Sequence, residues 1–223
     1  MTPVIPSTSS RQAPSRRRGI AILFLALFAV IAALVSTGAT HDWDVATLQW
    51  FGSWRTPGLT SAMQFITNLG NWPVEVPLLL IIGAYLWRRG RRTNAWRYVT
   101  FCLGGEALYA MAKLLFHRER PTVITHLSDA GWYSYPSGHS MLAPIIWSAG
   151  LVLVSQLAGN RVARNLFVAL AIVMPLMIAK SRVYLGVHYL TDVLGGLALG
   201  MAWVMIWWDA VSRAPTSVAP TTQ

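Results

Sequence analysis

Apolar residues fill long stretches of this chain, and polar or charged residues collect in the short segments between them. Stretches of nearly twenty apolar residues recur, and an α-helix of about that length crosses the roughly 30 Å hydrocarbon core of a bilayer. The pattern predicts an all-α, polytopic membrane protein with six transmembrane helices around a bundle core. We expect the helices near residues 20–37, 73–87, 96–116, 139–157, 166–183 and 189–208.

The two ends of the chain are polar and rich in Pro, Ser and Thr. We expect residues 1–18 to form a disordered cytoplasmic N-terminus, 19–210 the membrane domain, and 211–223 a short cytoplasmic tail. A basic start before an apolar run is also typical of a signal peptide. The run is longer than a typical signal core, and no small-residue cleavage site stands out before Thr37, so we expect an uncleaved first helix.

The longest connection, residues 41–72, is rich in Trp and poor in Lys and Arg. Its apolar residues recur at helical spacing, which predicts short amphipathic helices in the membrane interface. The sequence His41-Asp42-Trp43-Asp44 contains possible metal ligands but has no partner cluster nearby. We therefore expect these residues to lie on the surface at the level of the lipid headgroups.

The composition excludes an ordinary soluble domain, because 54% of the residues are hydrophobic, 12% are charged and 11 are Trp. The single cysteine, Cys102, excludes an internal disulfide and argues against a Cys-ligated metal site. A net charge of +10 is compatible with nucleic acid or anionic lipid as a partner. Most of the arginines flank apolar runs, where they set topology, so we expect a lipid bilayer and no nucleic acid.

Six spans would place both termini on one side of the membrane. The arginines of the N-terminus, of residues 88–97, of the 158–165 loop and of the tail all fall on that side, which is then cytoplasmic. Six basic residues remain on the extracytoplasmic side, namely Arg55, Lys113, Arg118, Arg120, Lys180 and Arg182. This arrangement predicts a multi-pass protein of the cell (inner) membrane.

Three polar segments, residues 113–121, 136–139 and 181–192, are expected to meet on the extracytoplasmic face. They carry three cations suited to one multiply charged anion, namely Lys113, Arg120 and Arg182. Ser137, Gly138 and the backbone N–H groups that open the fourth helix add donors directed at the same place. We therefore expect a phosphate-binding site here.

Two histidines and one aspartate in these segments are suited to phosphoryl transfer. Asp192 lies four residues after His188, so its carboxylate can accept the proton of one ring nitrogen and leave the other as a nucleophile. His139 belongs to another helix, and can protonate the leaving group and then activate water. The three cations would stabilise the transferred phosphoryl group. No Asp or Glu cluster suggests Mg²⁺, so we expect neither a metal nor a cofactor.

These motifs are Lys113-x6-Arg120-Pro121, Pro136-Ser137-Gly138-His139 and Ser181-Arg182-x5-His188-x3-Asp192. In this order they resemble the three-part signature of the type 2 phosphatidic acid phosphatase superfamily, and the similarity covers roughly residues 72–208. The resemblance implies a six-helix membrane core, a metal-independent phosphohistidine mechanism and phosphorylated lipid substrates. It also implies His188 as nucleophile, His139 as acid, and phosphate binding by Lys113, Arg120, Ser137, Gly138 and Arg182.

We expect an extracytoplasmic lipid phosphatase, with undecaprenyl diphosphate as the first substrate and phosphatidylglycerophosphate or phosphatidic acid as alternatives. Phosphotransfer between lipids remains open, as does a non-catalytic lipid carrier, although a carrier would not need His188 paired with Asp192. Vanadium haloperoxidases have a similar signature but are soluble, which the apolar spans exclude. The sequence leaves the oligomeric state open.

Five residues outside the signature carry smaller expectations. Arg118 and Glu119 are expected to form a local ion pair at the interface. Glu106 should face the bundle interior, because a carboxylate facing lipid is costly. The pair Gly196-xxx-Gly200 should let another helix approach closely.

Overall fold

The computed structural model describes residues 13–212, with the side chains of residues 16–208. Within this range the protein is all-helical, with no β-strand. Its helices are α1 (Ala13–Ser36), α2 (His41–Ser53), α3 (Pro57–Asn68), α4 (Trp72–Arg88), α5 (Arg92–Leu115), α6 (Gly138–Ala143), α7 (Ala149–Ser155), α8 (Arg161–Tyr184) and α9 (Leu190–Ser212). A π-helical segment, Pro144–Ser148, joins α6 to α7.

Residues 1–18 were expected to be disordered and residues 211–223 to form a short tail, and most of both segments lies outside the described residues. Helix α1 begins at Ala13, within the N-terminal segment for which disorder was expected. The 211–223 tail is described only to Ser212, which is still helical.

Four segments of the described chain are long and apolar enough to cross a membrane: Arg16–Ser36, Gly138–Ser155, Arg161–Tyr184 and Leu190–Trp208. Helices α3 and α4 together make a fifth candidate, bent by 48° at a short break. Helix α5 covers the third predicted span but is not apolar enough to count among these candidates. It carries Arg97, Glu106 and Lys113, which lower its apolar character. Length and composition thus support four or five spans.

Helices α6 and α9 pack closely against each other. A Cβ atom added to Gly196 would lie 2.6 Å from the carbonyl oxygen of Ser137, and one added to Gly200 would overlap the carbonyl of Met141. The predicted close approach at these two glycines is therefore confirmed. It brings the helix that carries His139 against the helix that carries Asp192, while α1 packs along the length of α9.

The 41–72 connection folds into the two short helices α2 and α3, as its periodicity predicts. Trp43, Trp50 and Trp54 are about half exposed on this connection. On the inner face, Asp44 and Leu48 are fully buried, and α2 contacts α8 and α9. The prediction that Asp44 lies on the surface was wrong, because its carboxylate is a buried hydrogen-bond acceptor.

Candidate active site

The candidate site lies at one end of the bundle, where α5 and α8 end and where α6 and α9 begin. The irregular segment between α5 and α6 covers this end and supplies many of its backbone carbonyls. All eight residues predicted from the sequence lie here: Lys113, Arg120, Ser137, Gly138, His139, Arg182, His188 and Asp192. The Arg-rich turn after α4 and the loop before α8 lie at the opposite helix ends.

The imidazole of His188 is held by different groups at its two nitrogens. It lies in the turn between α8 and α9, which Gly186 permits by adopting a φ of 82°. Its Nδ1 faces Oδ2 of Asp192 at 3.5 Å, and its Nε2 lies 3.2 Å from Nη1 of Arg120. A guanidinium can only donate, so Nε2 must be the acceptor and the ring proton is on Nδ1.

The charge state of His188 follows from its surroundings. The side chain is only 2% exposed, and burial lowers the pKa of His188 well below its ordinary value of 6.5. The positive charges of Arg120, Arg182 and Lys113 lower the pKa of His188 further. The ring is therefore neutral near pH 7, with a lone pair on Nε2 directed toward Arg120.

Asp192 is fully buried and accepts hydrogen bonds on both carboxylate oxygens. Oδ2 accepts from the Ser134 hydroxyl and, at 2.8 Å, from the backbone N–H of Tyr189. Oδ1 accepts from Nη1 of Arg118 at 2.7 Å. These donors fix the carboxylate beside His188 and stabilise its ionised form.

Arg118 is part of this buried network rather than of a local pair with Glu119. Its ion pairs run to Asp192 and to Asp44, each at 2.7 Å. The predicted pair between Arg118 and Glu119 was wrong, because the fold brings two carboxylates from distant segments to the same guanidinium. The sequence carried one overlooked signal: Asp44 has helical spacing to Leu48 and Phe51, on the buried face of α2.

His139, at the start of α6, is held by an asparagine that sequence reasoning missed. Nε2 of His139 lies 2.7 Å from Oδ1 of Asn71. The Asn71 amide nitrogen donates to Asn68 at 2.9 Å, so its oxygen faces the imidazole and accepts the Nε2 proton. Asn71 lies in the short break between α3 and α4, where no motif marks it.

The three predicted cations are held mainly by oxygen atoms of the surrounding loops. Lys113 donates to the carbonyls of Tyr133 and Ser134, and Arg120 donates to the carbonyl of Val187 at 2.6 Å and to carbonyls in the 131–133 segment. Arg182 donates to the Thr67 hydroxyl at 2.8 Å. Its Nε is buried and has no hydrogen-bond partner among the described residues. A buried, unsatisfied guanidinium N–H is suited to an anionic oxygen.

Ser137 and Gly138 also have structural roles where α6 begins. The backbone N–H of Ser137 donates to the Asp192 carbonyl at 3.0 Å, so this amide is already used to join α6 to α9. The Ser137 hydroxyl accepts a hydrogen bond from Ser140 at 3.0 Å. Gly138 lies against Tyr109, where an added Cβ would come within 2.7 Å of the ring. Glycine is required here for packing.

A groove of about 430 Å³ runs from His139 between α4 and α5. Trp72 and Leu103 line it and are largely exposed, so its rim faces the lipid. Glu75 and Glu106 also line the groove, and Glu106 is exposed rather than in the bundle interior, so that expectation was wrong. Within residues 13–212, no group of three or more His, Cys, Asp or Glu side chains is arranged for a metal ion.

Comparison with known proteins gives a consistent family. The family model described as "PAP2 superfamily" matches residues 94–215, more than half of the chain. Phosphatidylglycerophosphatase B of Bacillus subtilis is 34% identical over 80% of this chain and 88% of its own length. The undecaprenyl-diphosphatase of Sulfolobus acidocaldarius is 28% identical over 66% of this chain and 67% of its own length.

A solved structure has the same fold. The crystal structure of a transmembrane PAP2 type phosphatidylglycerolphosphate phosphatase from Bacillus subtilis superposes with a TM-score of 0.78 at 30% identity. The match covers 85% of this chain and 95% of the other. The all-helical membrane fold is thus shared with that protein.

Proposed function

The chain belongs to the PAP2 superfamily and is a phosphoric ester hydrolase, and on this premise we propose that it removes the terminal phosphate of phosphatidylglycerophosphate. We choose this substrate because, of the two relatives, the phosphatidylglycerophosphatase has the higher identity and coverage. Undecaprenyl diphosphate, the first choice from the sequence, is the second candidate because a relative named for that activity also matches.

The observation that carries the proposal is the Nε2 lone pair of His188, which faces Arg120 at 3.2 Å while Asp192 faces Nδ1. Nε2 attacks phosphorus, and an N–P bond forms as the bond to the lipid oxygen breaks. Asp192 stabilises the positive charge that develops on the ring. Arg182 Nε, with Arg120 and Lys113, stabilises the phosphoryl oxygens.

His139 is the proton carrier in both halves of the reaction. It gives a proton to the departing lipid alkoxide, and then accepts a proton from the water that attacks the phosphohistidine. Inorganic phosphate leaves and His188 is restored. The position of His139 at the end of the groove between α4 and α5 supports a role on the side of the lipid leaving group. Since the cations neutralise the phosphate charge, the reaction needs no metal.

We further propose six spans in an inner membrane, with both termini in the cytoplasm and the site on the extracytoplasmic face. The positive-inside rule supports this orientation. Arginines cluster at residues 88–92 and 161–164, which are the helix ends opposite the site. Helix α5 counts as a span here because it is 24 residues long and its Lys113 is buried at the site.

The test is phosphate release by purified protein in detergent with EDTA. Phosphatidylglycerophosphate, undecaprenyl diphosphate and phosphatidic acid are supplied separately without an acceptor. We expect release from phosphatidylglycerophosphate, abolished in His188→Ala and retained in the control His41→Ala, an exposed histidine on α2. Mass spectrometry at alkaline pH should find phosphate on His188. Release that needs a metal, or that survives in His188→Ala, would contradict the mechanism.

The same assay separates the alternative functions. Fastest release from undecaprenyl diphosphate would establish the second candidate. Phosphate transfer only in the presence of a lipid alcohol would indicate a phosphotransferase. If no lipid is hydrolysed, a non-catalytic lipid carrier would be the remaining function.

A further inference from the structure

A second carboxylate lies behind the Asp192–His188 pair, at the far side of Arg118. Nη1 of Arg118 donates to Oδ1 of Asp192 and Nη2 donates to Oδ2 of Asp44, each at 2.7 Å. Both carboxylates are fully buried, and the Arg118 side chain is 14% exposed. The guanidinium carbon lies 4.1 Å from the centre of the Tyr189 ring, which fixes the plane of the group.

Asp44 is itself fixed by the first turn of α9. Its Oδ1 accepts from the Thr191 backbone N–H at 3.0 Å, and its Oδ2 accepts from the Thr191 hydroxyl at 2.5 Å. Thr191 also accepts from Arg118 at 2.7 Å. Thr191 directly precedes Asp192 in α9. The network therefore fixes the Arg118 guanidinium relative to the carboxylate that faces His188.

We propose that Arg118 and Asp44 are positioning residues for the phosphohistidine reaction, acting on His188 through Asp192. Arg118 fixes the orientation of the Asp192 carboxylate, and Asp44 fixes Arg118. Helix α2, outside the three signature motifs, thereby belongs to the catalytic apparatus. This inference rests on the function proposed above.

The charges explain why Asp44 accompanies Arg118. An arginine paired with Asp192 alone would neutralise it and weaken its attraction for the cationic ring formed when His188 is phosphorylated. With Asp44 ionised, two carboxylates share one guanidinium, and the group keeps a net charge of about −1 beside His188. Removing the Asp44 charge should therefore slow the chemical step while leaving phosphate binding nearly unchanged.

The chain contains a matched control in Arg55. This arginine also ties the α2–α3 region to distant segments, by donating to the carbonyls of Tyr184 at 3.0 Å and Thr125 at 2.9 Å. It makes no hydrogen bond to Asp192 or His188. A purely structural role for Arg118 predicts similar kinetics for Arg118→Met and Arg55→Met, whereas a positioning role separates them.

The experiment compares kcat, KM and the apparent unfolding temperature of these variants. The substrate is whichever of the three phosphorylated lipids the wild type hydrolyses fastest, with EDTA present. We expect Arg118→Met and Asp44→Asn to lower kcat about 10- to 100-fold, as loss of an outer partner of a functional group does, with KM within about 3-fold. Arg118→Lys should restore part of kcat, and Arg55→Met should keep kcat near the wild-type value.

Equal kcat losses in Arg118→Met and Arg55→Met, or a loss confined to KM, would overturn the inference while leaving the proposed function intact. If Arg118→Met does not fold, the nearly isosteric Asp44→Asn variant is compared with Arg55→Met in the same way, by its loss of kcat and its KM. A wild type that releases no phosphate, or a His188→Ala variant that still does, would overturn the proposed function and this inference with it.

Discussion

His188 shows how neighbouring groups determine the behaviour of a single residue. The spacing of His188 and Asp192 predicted that the two side chains are neighbours, and Nδ1 of His188 lies 3.5 Å from Oδ2 of Asp192. The tautomer and the charge state depend on Arg120, which is 68 positions away in the chain. Burial and positive charge favour the neutral ring, because an imidazolium would be poorly hydrated and repelled.

This environment predicts a dependence of stability on pH. The pKa of folded His188 lies below 6.5, so below pH 6.5 the unfolded chain binds a proton that the folded protein does not. The stability contributed by the neutral ring is present above pH 6.5 and is lost as pH falls toward the lower pKa. When the pH is lowered from 7.5 to 5.5 in detergent, we expect the apparent unfolding temperature to fall more for the wild type than for His188→Asn. Parallel losses would show that the ring protonates as freely as in the unfolded chain.

At the scale of helices, the contact between α6 and α9 decides the geometry of the site. It sets His139 and Asp192 on adjacent helices, and the Ser137 N–H bond to the Asp192 carbonyl locks the register. The Gly196-xxx-Gly200 pattern predicted a close approach but not its partner. Small residues permit contact with any helix, and only the packed bundle selects α6.

Gly200→Ala tests this contact. The added methyl would overlap the Met141 carbonyl, a backbone atom that cannot move aside, and overpacking of this kind costs about 1–3 kcal/mol. We expect a lower apparent unfolding temperature and reduced phosphate release. Gly58→Ala in α3 is the control, since an added Cβ there has no neighbour within 4 Å. Equal behaviour of the two variants would show that α6 and α9 are less tightly packed.

For the whole molecule, the alternation of helices puts the signature residues at one end and the arginine-rich loops at the other. This arrangement predicts which side of the membrane each end occupies. Cys102 is the only cysteine of the chain and is buried, so introduced cysteines can be labelled selectively.

Asp129→Cys and Gly159→Cys test the orientation, since both positions are exposed and lie at opposite ends of the bundle. In intact cells, a membrane-impermeant maleimide should label Asp129→Cys directly and Gly159→Cys only after permeabilisation. The unsubstituted protein, with Cys102 alone, gives the background. Labelling of Gly159→Cys in intact cells would reverse the proposed topology, and equal labelling of both would contradict opposite sides.

The sequence alone determined the helical membrane class and the family, and it predicted eight site residues that the fold brings to one end of the bundle, because apolar length and motif spacing are local properties of the chain. It did not determine the roles of Asp44, Asn71 and Arg118. Their partners are distant in sequence, and a carboxylate or amide without a motif has no local signal of burial. The tertiary structure also decided that Glu106 is exposed and lines the groove between α4 and α5. Such properties arise only when helices pack, since packing determines which polar atoms lose water and which groups replace it.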